Sequence, residues 1–182
     1  MTTGDPGSEA QVYNTGDERD AVFDFVIPRG ADGGGGTLDV LATVDTSSQP
    51  SAAGRALTFA DVPLISGSSI THTPGSTDIA ITTPGIYEAA FQGSAEVEAG
   101  GSIPATAALR LYLNGAEVPG AFTSHTFASS IESASLSFHV PFQVTAVPAT
   151  LQVVTEAPGF TLSNLSLTVT RLGDATGRAL TL

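Results

Sequence analysis

The sequence predicts an all-β fold, an antiparallel β-sandwich, on three observations. Apolar and polar residues alternate with a period of two in segment after segment. Gly and Pro, 20 and 11 of 182 residues, cut the chain into short runs. No stretch of about a dozen residues shows the i, i+3, i+4, i+7 spacing of a helix without a Gly or Pro inside it.

The first 30 residues read as a module of their own. Residues 11–13 and 21–27 alternate as two short strands around the polar turn Asn14-Thr15-Gly16-Asp17. A two-stranded hairpin is marginal in water. Val22, Phe23, Phe25 and Ile27 offer too little apolar surface to fold alone, so the module is expected to pack on copies of itself or on a partner. Pro28 is expected to halt the ladder, because it has no N–H to give. The other reading of this segment is an unstructured leader; the regular alternation favours the hairpin. Residues 31–49, opening with the tract Gly33-Gly34-Gly35-Gly36, read as a flexible linker.

The main domain is expected over 50–173, with a tail at 174–182. Its strands are read at 55–59, 78–82, 85–97, 107–113, 117–127, 133–145, 148–155 and 162–172. In 85–97, Tyr87, Ala89 and Phe91 point one way and Glu88, Ala90 and Gln92 the other. In 107–113, Ala107, Leu109, Leu111 and Leu113 share a face against Arg110 and Tyr112. Asn114-Gly115 then closes a hairpin that needs positive φ at both central residues. In 133–145, Leu136, Phe138, Val140 and Phe142 lie inward, with Ser137 and His139 opposite; Pro141 marks an edge or a bulge. In 162–172, Leu165, Leu167 and Val169 face in and Ser166, Thr168 and Thr170 face out. Eight to ten such strands close naturally as two packed sheets, a jelly roll.

Composition excludes several functions. There is no cysteine, which rules out disulfides, thiol chemistry and Cys-based zinc sites. There is no lysine; the six basic residues are arginines and the net charge is −12. No basic stripe exists to bind nucleic acid or anionic membrane. No apolar run reaches membrane-spanning length, and MTTGDPGSEAQ lacks the basic start and apolar segment of a signal peptide. Neither a G-x-S-x-G nucleophile turn nor a phosphate loop is present, and Glu96 and Glu98 read as a solvated strand face. No catalytic residue, cofactor or metal is expected. In a threefold assembly one histidine becomes three, and His139 is the residue that ligand count alone would place at such a site. Asn164-Leu165-Ser166 fits the glycosylation pattern but begins a core strand, and is set aside.

The outward positions are mostly Ser, Thr and Ala, where a monomeric sandwich carries charges. Two readings stay open here: a buried subunit interface, or a surface biased by a GC-rich coding source. Under the first, Ala90, Tyr112, His139 and Thr168 are the interface candidates.

The segments "GIYEAAFQGSAEV", "LRLYLNGAEVPG" and "LSLTVTRLG" resemble the C1q/TNF-like jelly roll. "LISGSSITHTPGSTDIAITTPGIY" is similar to the start of the C-terminal domain in the collagen-like exosporium glycoproteins of Bacillus spores. "AVFDFVIPRGADG" resembles the module that borders collagen-like stretches in bacterial surface proteins and phage tail or fibre proteins. The resemblance implies a compact homotrimer with one sheet of each protomer facing the axis. It also implies a structural or adhesive role and no catalysis. The long Gly-X-Y stalk is missing, reduced to remnants at Gly30 and Gly33, which implies a short knob. No calcium ligands carry over. The expected function is therefore a virion knob: a phage fibre, minor tail or capsid decoration protein. Its N-terminus, through Val22, Phe23, Phe25, Ile27 and Pro28, would dock to other virion or surface-layer proteins. Outward loops at 66–77, 99–105 and 120–130 would meet host carbohydrate or protein. A spore- or cell-surface glycoprotein head is the alternative, and a carbohydrate-active jelly-roll enzyme the alternative of another class.

Overall fold

A computed structural model describes residues 2–5, 8–17, 19–29 and 38–175, in two compact units divided between Thr37 and Leu38. Among the described residues there is no helix.

The N-terminal unit is a three-stranded sheet. β1 (Thr2–Gly4) pairs parallel to β3 (Phe23–Pro28), and β2 (Gln11–Asn14) pairs antiparallel on its other side. The expected hairpin is thus present, with one strand more than the sequence showed. Pro28 does not halt the ladder. It pairs with Gly4, and the Arg29 N–H donates to the Gly4 carbonyl at 3.1 Å. The missing N–H of Pro28 costs nothing where the neighbouring residue supplies the next donor. The glycine triplet at Gly30 and Gly33 lies outside the described residues, as do Pro6 and Gly7.

The second unit is a sandwich of two sheets. Its strands are β4 (Val40–Asp45), β5 (Gln49–Pro50), β6 (Arg55–Ala56), β7 (Asp61–Ser66), β8 (Ile70–His72), β9 (Ile79–Ile81), β10 (Gly85–Val97), β11 (Ala105–Leu113), β12 (Ala116–Phe127), β13 (Ser133–Val144), β14 (Ala149–Thr155) and β15 (Phe160–Gly173). One sheet runs β13-β10-β15-β4-β7, with β5 beside β15. The other runs β12-β11-β14-β9-β8, with β6 beside β14. The core lies between them. Tyr87, Phe91, Leu136 and Leu167 of the first sheet meet Leu109, Leu111, Phe127 and Leu151 of the second, all with 2% exposure or less. Phe91 stacks on Phe138 with ring centroids 5.2 Å apart, and Tyr87 on Phe142 at 5.9 Å. The buried Tyr87 hydroxyl donates to the Thr83 carbonyl at 2.6 Å and so is not orphaned.

Several boundaries move. The stretch read as linker, 31–49, contains β4, which is paired on both sides by β15 and β7. Its buried set is Leu41, Thr43 and Asp45, so its inward face does not look hydrophobic. Hydrogen bonds make that burial possible. Thr43 Oγ1 donates to the Leu167 carbonyl at 3.1 Å, and Asp45 accepts from Ser47 N and Gln49 Nε2 at 2.8 and 3.0 Å. The expected loop at 66–77 contains β8, and the one at 120–130 is strand as far as Phe127. Pro141 does sit on an edge strand, β13. The turn residues Asn114 and Gly115 have φ of 51° and 77°, and Leu113 pairs with Ala116 across them. Asn164 does not begin the last strand. It lies inside β15 at φ 52° and exposed, on a bulge opposite Gly93. A Cβ at Gly93 would stand 2.7 Å from Leu165 Cδ2, so this glycine makes room for the bulged strand.

Asp39, just before β4, holds the β7–β8 turn. Its carboxylate accepts from the Ser68 and Ser69 N–H groups at 2.8 and 3.3 Å and from Ser69 Oγ at 2.6 Å. Gly67 has φ of 77°, and a Cβ there would fall on that carboxylate. Gly67→Ala is expected to destabilise by about 1–3 kcal/mol through backbone strain and loss of this contact. A chemical-denaturation midpoint equal to that of the parent chain would contradict it.

Candidate functional site

The outward side of the β13-β10-β15-β4-β7 sheet is the surface that the fold singles out. The registers align one residue from each strand into a row: His139, Ala90, Thr168, Ala42 and Leu64. The next row toward the Asn114-Gly115 end is Pro141, Glu88, Thr170, Val40 and Ser66; on the other side lie Ser137, Gln92, Ser166, Val44 and Asp61. Ser135, Ser94 and Ser163 follow. Across β13, β10, β15 and β4 the titratable side chains of this face are Glu88, Glu96 and His139, with no arginine among them. His139 Nε2 lies 3.2 Å from Glu88 Oε2, and the two side chains are 64% and 36% exposed.

The outward side of the other sheet is built differently. The Arg110 guanidinium lies 4.4 Å from the centre of the Phe122 ring, pairs with Glu117 at 3.0 Å and also pairs with Glu156. The hydrogen bond that Arg110 donates to Glu156 leads in holding Arg110 above its ordinary pKa. Tyr112 sits beside Glu117; burial first, then the charge of that carboxylate, pushes its phenol up. Gln152 Nε2 donates to Asp78 Oδ1 at 2.6 Å. These groups satisfy one another within a single chain, in the manner of a surface that meets water.

The structure therefore brings together three of the four interface candidates and separates the fourth. Ala90 is the direct cross-strand neighbour of both Thr168 and His139. Tyr112 lies on β11, in the opposite sheet, and shares no face with them. Sequence alternation places a residue outward but does not say which sheet it leaves; only the strand order decides that. The same order shows Leu64 and Val40 on the face, which no sequence signal had marked. Among the described residues no group of three or more His, Asp or Glu gathers in one chain to hold a metal ion.

The N-terminal unit presents a second apolar surface. Phe23, Phe25 and Ile27 alternate onto one side of β3, and Val12 pairs with Phe25 there. Each is about half exposed, as is Val22. Pro28 points with Val26 to the other side of β3.

Strand directions also fix which loops share an end. The second unit begins at 38, beside the close of β15 at Gly173 and the Asn114-Gly115 turn. The connections at 98–104, 128–132 and 156–159 lie at the opposite end. Of the expected outward loops, 99–105 and the tip of 120–130 are thus distal, and Ile131 stands 94% exposed there. The turn after Ser66 lies instead at the entry end, across from Val40.

Two carboxylates of the second unit make its fold sensitive to acid. The Ser69 hydroxyl, above all, holds Asp39 below the ordinary carboxylate range, and the hydrogen bond to His125 does the same for Glu132. A folded-state pKa below the unfolded one contributes stability that is present above the unfolded value. That stability is lost as pH falls through the folded value. Stability is therefore expected to decline below about pH 4, where free carboxylates protonate. Asp39→Asn should flatten part of the decline in denaturation midpoints measured from pH 6 to pH 2; an equally steep decline would refute the role given to Asp39.

No protein-family model and no curated protein matches the sequence. Solved structures do match the fold. The globular domain of the zebrafish complement 1qA protein aligns with TM-score 0.57 at 11% identity, covering 75% of this chain and 98% of that one. Murine APRIL, in a crystal structure at pH 5.0, aligns with TM-score 0.59 at 13% identity, over 74% and 99%. This is the C1q/TNF-like jelly roll. The Eiger TNF of S. frugiperda shares it too, with TM-score 0.53 at 12% identity over 80% and 99%. The likeness is one of fold, and it accords with the all-β sandwich that the sequence predicts.

Proposed function

We propose that the chain is a non-enzymatic homotrimeric knob on a phage virion, as a fibre, minor tail or capsid decoration protein. The observation that carries the trimer is the row Ala90, Thr168, Ala42 and Leu64, which holds no Asp, Glu or Arg, with His139 at its end. Small side chains let two β-faces approach closely, and their burial leaves few charges to desolvate. The contrast with the satisfied Arg110 face of the other sheet supports the choice of side.

Three further features fit the reading. The N-terminal unit offers Phe23, Phe25 and Ile27 as an apolar surface for docking to other virion proteins. The loops at 98–104 and 128–132 lie at the end away from residue 38, where the chain enters the domain. Three copies of each, held together, raise avidity for host carbohydrate or protein without any new contact. The resemblance of the segment at 21–33 to modules bordering collagen-like stretches favours a virion or a spore surface over a freely diffusing enzyme.

Gold-labelled antibody against the purified protein tests the location. Applied to phage particles and to spores from the source organism, it is expected to mark particle tails or capsids. Label on spores alone would move the assignment to the spore-surface head, and label on neither would remove both.

A further inference from the structure

The outward side of the β12-β11-β14-β9-β8 sheet departs from the Ser/Thr/Ala character of the other sheet's outward face. Its registers align Glu117, Tyr112 and Gln152 in one row, which Asp78, the residue before β9, continues. Phe122 and Arg110 pair in the row beside it. The chain has only six arginines and three tyrosines, so one of each within two rows is a concentration.

Contacts within the strip hold these side chains in place. Arg110 Nη1 donates to Glu117 Oε2 at 3.0 Å, and the Tyr112 hydroxyl to Glu117 Oε1 at 3.5 Å. Gln152 Nε2 and Thr77 Oγ1 both donate to Asp78 Oδ1, at 2.6 and 2.7 Å. None of these contacts uses Arg110 Nη2, Gln152 Oε1 or Asp78 Oδ2. One donor and two acceptors thus remain on side chains that are already ordered, which lowers the entropy cost of binding.

The same groups select a ligand. A hydroxyl both donates and accepts, so it matches a mixed set. Among the described residues of these five strands, Phe122 is the one large apolar side chain that stands exposed, at 42%. A stable protein partner covers about 800 Å² around an apolar centre, which one ring does not supply. One ring does suffice for the C–H face of a sugar. A wholly apolar ligand would strip water from Glu117 and Gln152 and return no hydrogen bond. Asp78, Glu117 and Glu156 stand against a single guanidinium on a chain of net charge −12, which disfavours an anionic sugar. Three strand steps of about 4.8 Å, roughly 14 Å, separate Phe122 from Asp78, which gives length for a short chain of sugars.

We propose that this strip binds a neutral oligosaccharide, with sugar rings against Phe122 and Tyr112 and hydroxyls on Arg110, Gln152 and Asp78. This rests on the display reading above and names a surface and a ligand class for it. The strip faces away from the sheet that sister chains cover, so a trimer presents three copies of it.

The test applies the purified 182-residue chain to an array of neutral hexose and N-acetylhexosamine oligosaccharides, with sulfated and sialylated ones beside them. Binding to neutral members is expected. Titration calorimetry with the strongest of them should give the same affinity at about 50 mM and about 500 mM salt, because no ion pair is formed. Phe122→Ala and Gln152→Ala should each weaken binding about tenfold or more, with chain mass and melting temperature unchanged. No binding across the array, binding to anionic members only, or full affinity in both variants would overturn the proposal. Binding lost in Ile131→Ser and kept in both strip variants would place it in the distal loops and overturn it equally. Light scattering on the same samples separates this site from the trimer. Three chains without glycan binding remove the site and leave the trimer; one chain whose binding the strip variants weaken keeps the site and removes the trimer.

Discussion

Thr168→Glu is expected to turn a three-chain particle into folded single chains. Thr168 lies in the middle of the outward row, between Ala42 and Ala90, with its hydrogen-bonded neighbours on both sides. No arginine shares the face across β13, β10, β15 and β4. A carboxylate closed into this interface would have no counter-charge and would meet the same group on other copies. The effective penalty for burying an unpaired ion is several kcal/mol each, roughly 3–5. Even about 3 kcal/mol shifts an association constant by over a hundredfold. In isolation the substitution is mild, because the position is only half-buried within one chain. The expected result is therefore a loss of mass without a loss of fold: one chain by light scattering at micromolar concentration, with the far-ultraviolet β signature intact. Three chains retained would show that this face is not buried against a neighbour.

Leu167→Ala, one residue away, should do the opposite. Leu167 points into the sandwich and is fully buried, next to Thr43 and Phe91 across the strands. Removing a core leucine costs about 2–5 kcal/mol, from lost transfer energy and from the cavity left behind. For a domain of this size that corresponds to a fall in melting temperature of roughly 4–20 °C. Association below the melting transition should survive, because the outward row is untouched. A melting temperature within about 2 °C of the parent chain would contradict the placement of β15 at the centre of the core. The pair of variants separates folding from assembly by exploiting the two faces of one strand.

The long strands were legible because their inward residues are hydrophobic. Leu109 and Leu111, or Leu136, Phe138, Val140 and Phe142, announce the period of two without help from neighbours. β4 was illegible for the converse reason. Thr43 and Asp45 are its inward residues, satisfied by the Leu167 carbonyl and by Gln49, partners that only the folded chain supplies. β7 escaped because Pro63 lies inside it and Gly67 follows it directly, and β8 because its three residues carry no pattern. β1 escaped because three residues of parallel pairing carry no pattern at all. For the candidate face, sequence alternation sorted Ala90, Thr168 and His139 outward. It also sorted Tyr112 outward, from the opposite sheet. Alternation is a property of one strand, whereas a face is a property of strand order. That Leu64 ends the outward row depends on β7 being an edge strand, and no local signal reports that.

The central claim is that the Ser/Thr/Ala face of the β13-β10-β15-β4-β7 sheet is covered by sister chains. Light scattering on the purified 182-residue chain, read across a dilution series at neutral pH, tests it most directly. The account predicts a constant mass of three chains of 18.3 kDa down to the micromolar range. A mass of one chain throughout the series would contradict it.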